Sequence, residues 1–239
     1  LKGRRTVSFL PMVGGASDHR WLSILIFRRG VSVIDTKFTD DLASKAPVPG
    51  GGGASAYAGA LAAALGSMVA NLTIGKPKFA GREQALQETL ARLDAYRSEL
   101  ISLIEGDAEA FSKLAACWKM PKGTEEERAC RSRAEQEALH AACEVPLSIM
   151  RVCARVVEAD EYLVLNSAKL ALSDVGASAV LAKAALEAAS LNVFINTGLM
   201  EDSAKALAYE EEANGLIEKT ALAADKVHAA VRESIVRVR

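Results

Sequence analysis

The chain has 239 residues, half of them hydrophobic but only 5% aromatic, and 29 basic against 30 acidic side chains give a formal net charge of -1. An interior of this composition has to be filled by Ala, Leu and Val, which suits closely approaching helices. The charge balance excludes the basic footprint of a nucleic-acid binder and leaves small-molecule chemistry or self-association as the expected role.

Residues 1–30 stand apart, because Lys2, Arg4, Arg5, Arg20, Arg28 and Arg29 face a single acid, Asp18, and no helical period emerges. The apolar run over 21–27 is too short to cross a bilayer and has no small-residue cleavage site. Arg28-Arg29-Gly30 is what a translated ribosome-binding sequence would encode, with Val31 or Val33 as a start. Residues 1–30 are therefore expected to be a non-native or disordered extension and 31–239 the structured domain.

From residue 33 the pattern is helical. Phe38 and Leu42 mark a short amphipathic helix that stops before Pro47-Val48-Pro49, since proline disfavours helical geometry in the residue preceding it. Gly50 to Gly53 are expected as a flexible turn into a helix over 54–74, which contains no charged residue. That length satisfies the criterion for a membrane span, but Ala and Gly supply little hydrophobic drive and no second comparable segment is seen, so a central buried helix is expected instead. Gly59, Ala63, Gly66 and Ala70 recur on one smooth face, fit for a tight crossing in the core or across a two-fold axis.

Gly75, Pro77 and Gly81 interrupt the chain, after which Leu86, Leu90, Leu93, Leu100 and Ile104 predict one long amphipathic helix reaching about Trp118. Past a loop at 120–123, Thr124 and Glu127 form a capping-box pattern that opens the next helix. Pro146 is expected to mark a restart or kink near Glu144, being tolerated in a first turn and disruptive later. An Ala-rich helical segment covers 166–200 with Gly176 and Gly198 as weak points, and Leu216, Thr220, Ala223, Val227 and Val231 stripe the last helix. The sum is six or seven helices without strand alternation or a fixed repeat: an all-α, single-domain multi-helix bundle with long Ala/Gly-rich central helices.

Cys117, Cys130, Cys143 and Cys153 lack C-x-x-C spacing and read as buried thiols of a cytoplasmic protein. His140 and Cys143 share a helical face, but two ligands without a third make no metal site, so no metal is expected.

Candidate chemistry lies in four places. Gly50, Gly51, Gly52 and Gly53 lead into a helix whose unpaired N–H groups suit an anion, or they are a plain hinge. Neither a P-loop nor a dinucleotide fingerprint is met. Lys76, after the same helix, either complements the helix dipole or meets a ligand carboxylate. Asp107, between Gly106 and Ala108, either faces a cavity or solvates an outer face, the latter being the default. Ser173, Asp174, Asn192 and Asn196 form the last group: the two asparagines share one helical face in apolar surroundings and read as buried amides. Asp174 and Asn192 would lie about 27 Å apart on an unbroken helix. They then serve opposite ends of a long ligand, or a second subunit supplies one of them, or Gly176 breaks the helix.

The segments Pro47-Val-Pro-Gly-Gly-Gly-Gly53, Tyr57-Ala-Gly-Ala-Leu61, Met68-Val-Ala-Asn-Leu-Thr-Ile-Gly-Lys76, Asp107-Ala-Glu-Ala-Phe111, Met120-Pro-Lys-Gly-Thr124, Ser173-Asp174 and Leu191-Asn-Val-Phe-Ile-Asn196 occur in that order. Together they resemble the cyclodeaminase domain of formiminotransferase-cyclodeaminase and the related stand-alone methenyltetrahydrofolate cyclohydrolases, over about 33–239. Where that family usually has Ser after three glycines this chain has Gly53, so no side-chain N-cap is expected there. The resemblance implies an all-helical homodimer with a folate substrate in a cleft near the subunit interface. The chemistry of that substrate requires no metal or redox cofactor, and the charge balance and weak hydrophobic drive leave no nucleic acid or membrane as expected partner. The resemblance also implies site positions at Gly50, Gly51, Gly52, Lys76, Asp107, Asp174, Asn192 and Asn196. On that reading Asp107 or Asp174 is the acid or base, Asn192 and Asn196 read the pterin, and Lys76 or the glycines meet the glutamate carboxylates. The sequence shows no fused formiminotransferase domain, which inclines the expectation towards cyclohydrolase over cyclodeaminase.

Overall fold

The computed structural model describes residues 36–236. The chain divides into two units, Leu1–Asp40 and Asp41–Arg239. Only 36–40 of the first are described, so the expectation for 1–30 lies outside the described residues. A short helix α1, Lys37–Leu42, carries no buried side chain. Five long helices follow: α2 Gly51–Thr73, α3 Glu83–Trp118, α4 Glu125–Asn166, α5 Leu172–Thr197 and α6 Ser203–Ile235. Short 3₁₀ segments at Pro77–Arg82 and Lys169–Ala171 lead into α3 and α5. Among the described residues there is no strand, and the unit Asp41–Arg239 is one all-α bundle.

The helix starts follow local chemistry where a cap exists. Thr124 accepts the Glu127 N–H while Glu127 reaches back to the Thr124 N–H, the reciprocal bonding foreseen for α4. Asp202 caps α6 through the Lys205 N–H. The core forms where the stripes meet: Leu86 and Leu93 of α3, Val156 and Leu163 of α4, Val175 and Ala179 of α5, and Val227 and Val231 of α6. A second cluster joins Leu100, Leu147, Met150, Cys153, Leu186 and Val193.

The small-residue face of α2 is spent inside this core. A β-carbon on Gly59 would come within 2.7 Å of Cys153 Sγ, and one on Gly66 within 3.0 Å of Leu93. Missing side chains thus let α2 sink against α3 and α4, and the two-fold alternative for this face does not hold. The C-terminal end of α2 meets the start of α5, where the Ala168 N–H donates to Thr73 Oγ1 at 3.0 Å. A β-carbon on Gly51, at the other end, would touch Asn192 near the end of α5. The two helices therefore run antiparallel.

Several expectations are corrected. The glycines are no hinge before residue 54, since Gly51, Gly52 and Gly53 form the first turn of α2. Pro146 neither restarts nor ends a helix but lies inside an unbroken α4. The Ala-rich helix begins at Leu172, and Gly176 does not interrupt it. A second segment, Lys169–Thr197, joins Gly51–Thr73 in being long and apolar enough to cross a membrane, though 61% of the apolar stretch of α2 and 44% of that in the other are buried within the bundle. Cys130 is exposed, whereas Cys117, Cys143 and Cys153 are buried.

Candidate active site

The start of α2 lies against α3 and the last turns of α5, and a cavity of about 280 Å³ opens there. That is near the lower end for small-molecule sites. Its polar lining comes from Gly50, Gly51, Asp107, Asn192 and Asn196, and its apolar wall includes Phe111, Leu114, Trp118, Ile195 and Leu199. Phe111 and Trp118 pack edge to face with ring centroids 6.0 Å apart. The indole N–H of Trp118 donates to Glu135 at 3.0 Å.

Asp107 is the organising residue. Gly50 occupies the N-cap of α2 and has no side chain to offer, so the first-turn N–H groups lack the local oxygen that Ser or Asp would supply. Asp107, from α3, replaces it: Oδ2 accepts the Gly53 N–H at 2.9 Å. A helix N-terminus favours the anion, yet burial outweighs that bond and moves the Asp107 carboxyl above its ordinary value of 3.8. Half-buried and facing a cavity, it is not the solvating carboxylate taken as the default. Gly53, the departure from the family pattern, is not sterically forced, because a β-carbon there would meet Pro49 at 3.5 Å and Ile104 at 3.6 Å, ordinary contacts.

Asn192 and Asn196 project from one face of α5 into the same cavity but are half-buried rather than buried. Asn196 Nδ2 donates to the Ala142 carbonyl at 2.7 Å, while Asn192 Nδ2 makes a long 3.4 Å contact with Ala188 O. Sequence reasoning assigned nothing to Ala142, nor to Phe111 and Trp118 as an aromatic wall. The i, i+4, i+7 spacing from Asp107 through Phe111 to Leu114 and Trp118 was the signal that would have placed them on one face.

Gly52 does not line this cavity but lies against the Asp107 carboxylate, and three further predicted site residues are not brought to the cavity. Lys76 is exposed beyond the opposite end of α2, about 35 Å along the helix axis at 1.5 Å per residue. Ser173 and Asp174 lie in the first turn of α5, and since the helix is continuous to Thr197 they stay about 27 Å from Asn192. Ser173 lines a shallow cleft with His228 and Arg232 of α6 instead. Within one chain, Asp174 therefore cannot share a small group with Asp107. Among the described residues no cluster of three His, Cys, Asp or Glu side chains could hold a metal ion.

Comparison with known proteins bears on this geometry. The sequence profile described as Formiminotransferase-cyclodeaminase matches residues 35–215. A methenyltetrahydrofolate cyclohydrolase of Methylorubrum extorquens is 39% identical over 206 residues, covering 86% of this chain and 99% of that protein. A formimidoyltransferase-cyclodeaminase of Mus musculus is 33% identical over 174 residues, which are 72% of this chain but 32% of the relative, so the chain spans about a third of that longer protein. The crystal structure of a formiminotetrahydrofolate cyclodeaminase from Thermotoga maritima matches with a TM-score of 0.70 at 26% identity, over 87% of this chain and 97% of that one.

Proposed function

The chain belongs to the formiminotransferase-cyclodeaminase family, and from that premise we propose that it is a folate-dependent one-carbon enzyme that hydrolyses 5,10-methenyltetrahydrofolate to 10-formyltetrahydrofolate. The observation that carries the reading is Asp107: a desolvated carboxyl held at a helix N-terminus, opening on a cavity lined by two amides. Full-length similarity to a cyclohydrolase favours hydrolysis, while the likeness to a cyclodeaminase structure keeps the release of ammonia from formiminotetrahydrofolate as the second reading.

The methenyl bridge is an amidinium-like cation, so water adding to its carbon must lose a proton as the C–O bond forms. Asp107 takes that proton as general base. The adduct collapses when the bond from its carbon to N5 breaks; Asp107 returns the proton to N5, and the hydroxyl proton leaves to solvent as the formyl C=O forms. The polar lining of the cavity orients the pterin, and the Phe111–Trp118 wall covers an aromatic ring of the substrate. In the cyclodeaminase direction the same carboxyl acts as general acid towards departing ammonia.

A homodimer in the cytoplasm completes the proposal, with no membrane or nucleic acid as partner. The supporting observation is the exposed apolar surface on the antiparallel pair α2 and α5, where Leu61, Met68, Leu72, Leu191 and Ile195 face outward. Pairing these surfaces about a two-fold axis perpendicular to the helices would set the Lys76, Ser173 and Asp174 end of one copy beside the Asp107 end of the other. Asp174 then acts from the second subunit, and Lys76 meets the glutamate tail.

Loss of the methenyl chromophore on adding protein tests the reaction. Consumption supports hydrolysis, formation of the chromophore with ammonia from formiminotetrahydrofolate moves the reading to cyclodeaminase, and no change with either substrate leaves a non-catalytic folate-binding or scaffold protein.

A further inference from the structure

A proline deep inside α4 has a consequence at the cavity. Pro146 has no N–H, and the helical partner that N–H would have taken is the carbonyl of Ala142, four residues earlier. The proline ring also crowds that carbonyl away from the helix axis. Both residues are buried, so an unpaired carbonyl there is costly unless another donor arrives. The donor is Asn196 of α5, whose Nδ2 lies 2.7 Å from Ala142 O.

This pairing fixes the asparagine amide. A carbonyl oxygen only accepts, so the atom facing Ala142 is Nδ2, which determines the amide's orientation. Oδ1 points away from Ala142, and among the described residues no donor reaches it. Asn196 and Ala142 both line the cavity that holds Asp107. Asn192, one turn earlier, gives the contrast: among the described residues its amide has one hydrogen-bond partner, the Ala188 carbonyl of its own helix, at a long 3.4 Å.

We propose that Pro146 is a positioning residue for the substrate site: the carbonyl it frees at Ala142 locks the Asn196 amide so that Oδ1 is presented to the cavity as an acceptor for a ligand N–H. The chemical class so recognised is the donor edge of an amino-substituted lactam, such as the amino and ring N–H groups of a pterin. This rests on the folate reading for the identity of the ligand, but not for the orientation of the amide.

The test uses the intact chain with Pro146→Ala and Asn196→Ala, singly and together. Pro146→Ala restores a helical N–H for Ala142 and relaxes its carbonyl to the axis, so the Asn196 bond weakens. The expected result is a KM for methenyltetrahydrofolate raised about 3- to 10-fold, the worth of one neutral hydrogen bond, with kcat nearly unchanged and heat stability equal or higher. In the Asn196→Ala background the same proline change should leave KM unaltered. A purely structural proline would move stability and leave KM and its coupling to Asn196 untouched.

A readout without ligand is the side-chain amide signal of Asn196 in ¹⁵N-resolved NMR, assigned by its absence from Asn196→Ala. One amide proton should be shifted downfield in the wild type and move towards the free-amide position in Pro146→Ala. An Asn196 signal indifferent to Pro146 overturns the proposal whatever the kinetics show, and a moved signal with an unchanged KM overturns its functional half. If the wild type takes up no folate, it is the proposed reaction that fails, and the NMR signal alone decides the positioning.

Discussion

The Asp107 carboxylate sits over Gly52 so closely that a β-carbon on this glycine would overlap it, touching Oδ1, Cγ and Oδ2 at once. The carboxylate, contributed by another helix, reaches the first turn of α2 only because nothing projects from that point of the backbone. Intrinsic propensity favours Ala over Gly inside a helix by up to about 1 kcal/mol. Here the local and tertiary effects oppose each other. Gly52→Ala should displace Asp107, break its bond to the Gly53 N–H and destabilise the fold by about 1 kcal/mol, the worth of a lost N-cap. If Asp107 is the proposed general base, turnover should fall by about 10² or more, because the carboxylate has moved. Gly51→Ala is the control, since its β-carbon would meet Asn192 at an ordinary 3.6 Å and should not lower the melting temperature. A Gly52→Ala variant that is more stable and fully active would show that Asp107 does not need this approach.

Replacing Asp107 itself by Asn keeps an acceptor for the Gly53 N–H but removes the ionisable group. Turnover should drop by about 10² while the melting temperature changes little. The working form of a general base is the ionised one, so kcat/KM in the wild type should rise with pH through a pKa lying above 3.8, in the direction burial sets. That limb should vanish in Asp107→Asn. An unchanged pH profile in the variant would assign the proton transfer elsewhere.

The same geometry explains what could be read in advance. Periodicity and capping are local, so the Thr124 box, the amphipathic α3 and the shared face of Asn192 and Asn196 were legible from spacing alone. Helix arithmetic also placed Asp174 far from Asn192 once the helix proved unbroken. The misreadings are non-local. Four glycines look like a hinge until a carboxylate 54 residues away caps them, and Pro146 looks like a helix restart until Asn196 satisfies the carbonyl it strands. Asp160 stands between Ala159 and Glu161 in a charged-looking stretch, yet it is wholly buried, and nothing in its neighbours shows this.

The exposed leucines of α2 and α5 give the oligomer a direct check. Leu61→Glu with Leu191→Glu would set charges against their counterparts in any dimer built on these faces, where both side chains are now exposed, 46% and 67%. In a monomer such surface changes cost little, within about 0.5 kcal/mol. The double variant should therefore fold normally but sediment as a monomer, and if Asp174 acts across the interface it should also lose activity. A wild type that is monomeric at assay concentrations, or a double variant that stays dimeric, would exclude these faces as the contact.

Asp160 supplies the pH dependence of stability. Its side chain is fully buried, among the described residues Oδ1 has no partner, and Ser178 Oγ lies 2.7 Å from Oδ2 and 2.9 Å from the Ala62 carbonyl. One hydroxyl proton cannot serve two acceptors, so the arrangement is satisfied when the acid keeps its own proton and donates to Ser178 while Ser178 donates to Ala62. Burial pushes the Asp160 carboxyl well above 3.8, outweighing the Ser178 hydroxyl, which acts the other way. Above pH 3.8 the unfolded chain has released this proton and the folded chain retains it. Stability from this group is therefore fully present below 3.8 and declines as pH rises, by about 1.4 kcal/mol per unit, until the folded-state pKa is reached. Asp160→Asn preserves the shape, lets Nδ2 donate to Ser178 and has no proton to lose. Melting temperatures measured from pH 4 to 9 should show the variant gaining on the wild type as pH rises, the gain levelling off once the folded-state pKa is passed. Parallel profiles would mean that Asp160 is not held as a neutral acid in the fold.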